Sequence, residues 1–407
     1  MTVTWNNVEA DRDAARTRGR RRPLRVLIPF GTPFLYGMER GVIEIFDTLR
    51  PEIEPQFVQS RAIFERRPPV IEELERRRLA LSLLPDRRGW PRLGKPTSLR
   101  HFSALVAAFV KGNLYYASRA RKTDALYVTS VNGALLNFLA AVYCRLTKRP
   151  VIHHFHDLGN DRRLLSIWAP LATDFIHNTE LGRQVVGRSF PRIARKRNVV
   201  LPCIVDGHVA SETNDVRAEI GSGRHIVYLG QVSEHKGVDL LLEAFRRIAH
   251  RSPDAVLDIV GGCAPEFEDR FKTLCGEADL AGRVKHWGYR NDGARLLRGA
   301  YLYVHPSPPS RVHESFGRSV VEAMSAGLPV VCFRSGALQE IVQHEKTGLV
   351  CEEDVGALAE ALDRMLGDTA VRDACAAASL RRYQECYSPA VVRPRWLAFF
   401  DGMRPQT

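Results

Sequence analysis

From Arg25 onward, short apolar runs alternate with amphipathic stretches, and the whole series starts again after Asp206. Strands are expected at Arg25–Phe30, Pro55–Gln59, Ala125–Thr129, Val151–Phe155, Asp174–His177 and Val199–Leu201. Helical patterns fall between them at Met38–Leu49, Phe102–Ser118, Gly133–Leu146 and Leu181–Arg188. The second series has strands at Ile226–Leu229, Val256–Val260, Val284–His286, Leu302–Val304, Val330–Phe333 and Leu349–Cys351. Its helices are Val238–Ile248, Glu266–Ala278, Gly317–Ala326 and Val355–Leu366. Alternation of this kind builds parallel sheets covered by helices on both faces. A chain of 407 residues exceeds one ordinary core. Two doubly wound, Rossmann-like α/β domains facing a central cleft are therefore expected, over 24–205 and 206–386. The mostly polar Asn214–Gly223 reads as a linker, and the aperiodic residues 1–23 as a disordered basic tail. Ligands of such sheets bind beyond the carboxyl ends of the strands, so the strand-to-helix loops are where chemistry is sought.

Charge is distributed unevenly. Residues 1–205 hold 35 Lys+Arg against 18 Asp+Glu, while residues 206–407 hold 24 against 28. The excess lies in Arg16–Arg22, Arg61–Arg100 and Arg183–Arg197. It implies either an anionic surface or ligand facing the first half, or simply a solvated basic face. No basic–aromatic interleaving or recognised module points to nucleic acid. No apolar run reaches the roughly 20 residues of a membrane-spanning helix, and no export signal is visible near the N-terminus. A cytoplasmic protein, peripheral at most at the inner face of the membrane, is the expectation. Its eight cysteines form no Cys-x-x-Cys pair, which disfavours disulfides and zinc.

The strongest chemical signal is the run His313-Glu314-Ser315-Phe316-Gly317-Arg318-Ser319-Val320-Val321-Glu322, continuing to Gly327, Pro329 and the strand at Val330. A helix starting near Gly317 presents unpaired N–H groups and a positive dipole end, which suit a phosphate. Two carboxylates eight positions apart would lie roughly 12 Å apart in helical geometry. That reach fits a ribose diol at one end and a sugar hydroxyl at the other, since each carboxylate accepts two hydrogen bonds.

The whole string resembles the donor-binding signature of the retaining family-4 glycosyltransferases of the GT-B fold, the group 1 glycosyl transferases. Three further segments resemble that family in order. These are Tyr228–Asp239, with Gly230, Gln231 and Lys236; Gly288-Tyr289 followed by Leu302–Ser307; and Gly336–Val342 with Thr347–Val350. By position the resemblance implies that Glu322 binds the ribose hydroxyls and Glu314 the transferred sugar. It implies that Lys236 neutralises the diphosphate, that the Phe316–Gly317 amides touch phosphate or sugar, and that Tyr289 lies in the base-contacting loop. The family's usual arginine is Gln231 here, so one cation is missing. Arg318 is the candidate to replace it, although an arginine in a first helical turn also points readily to solvent.

The first half resembles the family less closely. Its Gly-Gly-x-Glu loop is Tyr36-Gly37-Met38-Glu39 here, so Gly37 keeps its place while Tyr36 replaces a glycine. His156-Asp157 at the end of Val151–Phe155 resembles the acceptor-side His-Asp. His156 is then either a ligand-contacting group or a core histidine. Strand alternation sets His153 on the face opposite His154 and His156, against a metal cluster. Asn178–Glu180 and Pro202–Asp206 resemble the family's last first-domain loops, and family members return a stretch like Tyr387–Phe400 (387–404 in all) to the first domain.

The expected function is transfer of a sugar from a nucleoside diphosphate-sugar to an acceptor hydroxyl, with cleft closure aligning the two. No convincing Asp-x-Asp metal motif is visible, so no cofactor or metal is expected; retention is implied by the resemblance alone. A nucleotide-sugar epimerase or hydrolase, or a binding protein without activity, would share the architecture. The acceptor is unassigned, with a lipid-linked or anionic molecule suggested by the basic half.

Overall fold

The computed structural model describes residues 2–3, 22–32, 35–84, 98–130, 136–156, 162–207, 216 and 219–404. These fall into two compact units, residues 1–203 with 393–407, and residues 204–392. The first unit holds β1 (Thr2–Val3), β2 (Leu24–Pro29), α1 (Gly37–Thr48), β3 (Ile53–Ser60), α2 (Arg61–Glu65), α3 (Pro69–Arg76) and β4 (Leu81–Leu84). It continues with α4 (Leu99–Ala120), β5 (Ala125–Val128), α5 (Phe138–Leu146), β6 (Val151–Phe155), α6 (Arg162–Trp168), β7 (Asp174–His177), α7 (Glu180–Ser189), α8 (Pro191–Ala194) and β8 (Arg197–Val200). Its sheet runs β1-β4-β3-β2-β5-β6-β7-β8, parallel except where β1 meets β4.

The second unit holds β9 (Arg224–Leu229), α9 (Val238–Ala249), β10 (Ala255–Val260), α10 (Glu268–Cys275), β11 (Val284–Gly288) and β12 (Leu302–His305). Then come α11 (Arg318–Ser325), β13 (Val330–Phe333), α12 (Leu338–Ile341), β14 (Gly348–Cys351), α13 (Val355–Gly367) and α14 (Thr369–Cys386). Its sheet is wholly parallel in the order β11-β10-β9-β12-β13-β14. Strand order reverses direction between β9 and β12, so the loops leaving these two neighbours diverge and leave room for a ligand. Leu241, Leu242, Phe245 and Ile248, spaced for one face of α9, are fully buried beside Leu358, Leu362 and Met365 of α13. A last helix, α15 (Pro389–Asp401), belongs to the first unit from Arg393 onward. There Trp396 Nε1 donates to Pro202 O at 2.9 Å, and the Phe400 ring meets that of Phe46 at 6.0 Å.

Several expectations need correction. Thr2–Val3, assigned to a disordered tail, pair with Leu81–Ser82. A short edge strand leaves backbone groups that a passing segment can satisfy. Arg22 is likewise tied to Asp124 at 2.8 Å, and the rest of that tail lies outside the described residues. The stretch read as a linker contains Val216 and Ile220, both fully buried; their four-residue spacing puts them on one helical face. The helix expected from Gly133 is described from Phe138, residues 131–135 lying outside the description. The helix expected over Glu266–Ala278 is shorter, Glu268–Cys275.

The first unit buries His153, His154 and His177 and partly buries His156. His153 is fully buried between Phe155, Trp168 and Phe175, and neither ring nitrogen has a hydrogen-bond partner among the described residues. Burial, reinforced by His177 and His156, pushes its pKa down to about 3. Burial also lowers His154, His156 and His177. The unfolded chain takes up these protons below an ordinary value near 6.5, whereas the folded chain does not. Stability is therefore fully present above that value and is lost as pH falls from about 6.5 toward 3. His153→Leu keeps the shape while removing one such group. It should gain on the order of 2 kcal/mol at pH ~5 relative to its effect at pH ~8. Urea unfolding at the two pH values checks this, and an equal effect at both would contradict it.

Candidate functional site

In the second unit the signature residues converge on the β9/β12 switch point. After β9, Gly230 N–H donates to Val260 O at 3.0 Å, and the Tyr228 hydroxyl donates to Gln231 O at 2.7 Å. The Gln231 side chain is exposed. Ser233 then caps a single 3-10 turn, Glu234–Lys236, accepting from Lys236 N at 3.3 Å. Gly237 ends the turn at φ 73°, and a Cβ there would lie 2.0 Å from Pro306 O. Only glycine allows both this left-handed backbone and so close an approach. The β9 loop is thereby pressed onto the loop after β12.

That contact brings Lys236 Nζ to 2.6 Å from Glu314 Oε1. The same oxygen lies 2.8 Å from Ser307 Oγ and 3.1 Å from His305 Nε2. His305 Nδ1 lies 3.2 Å from the Tyr303 hydroxyl, which lies 2.7 Å from Ser319 Oγ in the first turn of α11. Tyr303 and His305 share one face of β12 because strand side chains alternate. The backbone of Glu314 is held too: Ala337 N donates to its carbonyl at 2.7 Å, and Gly336, at φ 51°, leaves 2.2 Å for a Cβ beside that carbonyl. Burial alone would raise the Glu314 pKa; hydrogen bonding to and the charge of His305 and Lys236 override it and hold the carboxyl well below the usual range. Glu314 is thus an ionised, nearly buried carboxylate with one oxygen saturated by donors.

Gly317 caps α11 in a left-handed conformation, φ 76°, and the Val320 N–H bonds back to its carbonyl at 3.0 Å. Phe316 is buried with its ring edge-on to Tyr387, centroids 6.1 Å apart. Its ring serves packing. Arg318 points neither to solvent nor outward from the first turn: its Nε lies 2.9 Å from Glu322 Oε1, and both side chains are mostly buried. Arg318 Nη1 also donates to Ile204 O at 3.5 Å. Because α11 begins at Arg318, Glu314 lies in the preceding loop, and the helical spacing assumed for the two glutamates does not apply. Tyr289 is half exposed, its hydroxyl donating to Asn291 Oδ1 at 3.0 Å.

In the first unit, Gly37 opens α1 behind Tyr36, whose N–H donates to Glu39 Oε2 at 3.2 Å in a capping box. Tyr36 itself is exposed. His156 follows β6 with its ring 3.9 Å from that of His154. His154 in turn meets the Tyr127 hydroxyl and, at 2.8 Å, Asn178 Oδ1. Burial lowers the His156 pKa to about 3, so its ring is neutral at ordinary pH. Asp157 lies outside the described residues. Among the described residues no group of three His, Cys, Asp or Glu is arranged to hold a metal ion. Tyr303, His305, Ser307, Ser319 and Gly336 were not singled out from the sequence. The signal available was the alternation Tyr303, His305, Ser307 running directly into the signature.

Two parallel sheets of this order, with polar loops gathered at the switch point of the second, define the GT-B architecture. Residues 211–382 match the family Glycosyl transferases group 1. The fold is shared with Anabaena HepE, solved in complex with UDP and glucose, at a TM-score of 0.76 and 20% identity, covering 93% of this chain and 100% of that one. Sucrose-phosphate synthase of Thermosynechococcus elongatus superposes at 0.72 with 19% identity, covering 93% and 99%. Among sequences, an uncharacterized glycosyltransferase of Methanocaldococcus jannaschii is 32% identical over 151 residues, 36% of this chain and 37% of that protein. A phosphatidyl-myo-inositol mannosyltransferase of Mycolicibacterium smegmatis is 28% identical over 286 residues, 68% and 71%. The alignment to the first of these relatives spans well under half of its length. The similarity to the glycosyl transferases group 1 family thus covers most of the second unit.

Arg318, the candidate to replace the missing cation, lies against Glu322. If it acts through that carboxylate, Arg318→Met changes affinity for a nucleoside and for its diphosphate by similar factors. Gln231→Arg should then add independently. Titration calorimetry of the four proteins in the cycle checks this. A loss confined to the diphosphate and rescued by Gln231→Arg would restore the phosphate-gripping role.

Proposed function

We propose that the chain transfers a sugar from a nucleoside diphosphate-sugar to an acceptor hydroxyl, with retention of anomeric configuration, as the retaining family-4 enzymes do. The observation that carries this reading is the Glu314 carboxylate, ionised and fixed by Lys236, His305 and Ser307 beside the start of α11. A carboxylate with one oxygen saturated by donors is pre-oriented to offer its other oxygen to sugar hydroxyls. Lys236, now neutralised by Glu314, would share its charge with an incoming diphosphate, and the α11 amides would supply further donors. These groups would stabilise the departing diphosphate without a metal. Glu322 would take the ribose hydroxyls, Gly230 and Gln231 would border the diphosphate, and Tyr289 would lie against the base. UDP bound to HepE and the mannosyltransferase among the relatives support a nucleotide-sugar donor.

His156, and Gly37 at the start of α1, would serve from the first unit. A neutral imidazole suits a hydrogen bond to the acceptor or the sugar better than transfer of a full charge. The acceptor is proposed to be anionic or lipid-linked, and the enzyme to work in the cytoplasm or at the inner face of the membrane. The basic first half supports both statements. Among the described residues no helix is long and apolar enough to cross a membrane.

Glu322→Gln should weaken nucleotide binding by about 1–3 kcal/mol, the range for a hydrogen bond to a charged group. Calorimetry with UDP and GDP reads it, and unchanged affinity in a folded variant removes Glu322 from the ribose site. His156→Ala should reduce turnover by about a hundredfold or more while leaving donor affinity within a factor of about two. Full activity would return His156 to the core.

A further inference from the structure

Seven large hydrophobic side chains of the first unit are exposed on three consecutive helices. Val106, Phe109, Val110 and Leu114 form one stripe along α4, at spacings of three and four. Leu139 and Leu146 follow on α5 and Ile167 on α6, with Leu114 and Leu146 exposed by 60% and 80%. The opposite sides of these helices share one core: Tyr116 and Ala120 of α4, Ala140, Ala141 and Cys144 of α5, Leu165 and Trp168 of α6. The three helices therefore cover one face of the sheet and turn apolar side chains outward where a solvated helix would be polar. An apolar surface of that breadth marks an interaction site.

Charge selects the partner. From Leu99 to Arg149 the chain has eight Lys+Arg and a single acidic residue, Asp124, which Arg22 already engages at 2.8 Å. Lys111, Arg121, Lys122, Arg145 and Lys148 are exposed, and none has a carboxylate partner among the described residues. Apolar side chains interleaved with long cationic ones match the boundary of an anionic bilayer, where stems lie along acyl chains and heads reach the phosphates. The breadth of the face, spread over three helices, suits a lipid surface better than a single bound peptide.

We infer that the α4–α5–α6 face docks on an anionic lipid bilayer, its apolar side chains inserted at headgroup depth. It rests on the proposed transfer to a lipid-linked acceptor for its purpose and not for its geometry: such an acceptor would be met at the membrane on which the first unit sits.

The full chain is sedimented with neutral phosphatidylcholine vesicles and with vesicles containing phosphatidylglycerol, at low and high salt. UDP affinity in solution is measured alongside. The wild type should bind anionic vesicles, more weakly but still measurably at high salt, because only the electrostatic part is screened. The double variant Phe109→Glu, Leu114→Glu should bind them at least about tenfold more weakly with UDP affinity unchanged. Lys111→Glu with Lys148→Glu should remove the preference for anionic over neutral lipid. No binding by the wild type, or equal binding by the Phe109/Leu114 variant, overturns the inference. So does a wild-type dimer in solution that the same variant dissociates, since the face would then join two copies of the chain. Vesicle binding that follows the pattern, in a protein with no affinity for any nucleotide, would uphold the docking face and overturn the transferase reading.

Discussion

The second unit is organised around the need to keep one carboxylate ionised where little water reaches it. A buried charge is tolerated only when paired and hydrogen-bonded, and Glu314 draws its donors from three separate segments. Lys236 comes from the β9 loop, while His305 and Ser307 come from the end of β12 and its loop. The loop after β13 then clamps the Glu314 backbone through Ala337 N. Each segment leaves the carboxyl end of a parallel strand, and β12 lies between β9 and β13. Because β12 pairs directly with both neighbours, the loops leaving the three strands can gather around one side chain. The Glu314 carboxyl, held well below its ordinary range, stays ionised at neutral pH, and the cost of burying it is offset by donors that a ligand could later share.

The same requirement explains why particular small residues stand where they do. Gly237 and Gly336 do not terminate long elements. They let two loops approach Pro306 and Glu314 more closely than any side chain permits. Removing either freedom would move Lys236 or Glu314 rather than merely loosen a turn, so the backbone and the electrostatics are one constraint.

Much of this was legible beforehand, and the physical reason differs from residue to residue. Val151–Phe155 and Val330–Phe333 were read to the residue: the second is a continuous apolar run between Pro329 and Arg334, and the first opens on Val151-Ile152 after Pro150 and closes on Phe155, with two buried histidines between. Leu81–Leu84 was missed: it is a strand of only four residues, and its order comes from pairing with β3 and β1 rather than from its own pattern. The opposition of His153 to His154 followed from alternation alone, and their neighbours agree with it. Alternation could not tell that Tyr303, His305 and Ser307 form a relay from α11 to Glu314, because that depends on which loop crosses above the strand. For Arg318 the i, i+4 spacing to Glu322 was in view. The competing idea, a cation waiting for phosphate, took no account of a carboxylate one turn away.

That pair has an orientation worth following. A cation N-terminal to its carboxylate on a helix opposes the dipole, and Arg318 sits in the first turn of α11, where positive charge is least welcome. Glu322 and the carbonyl of Ile204 compensate for that position. An anion arriving at the α11 amides would relieve the same electrostatic penalty from the other side, and would weaken the hold of Arg318 on Glu322. The two carboxylates of the signature therefore share one arrangement. Each rests on a cation that an anionic ligand would compete for, Glu314 on Lys236 and Glu322 on Arg318, so under the proposed function a ligand that engaged both cations would free both acids for its hydroxyls at once.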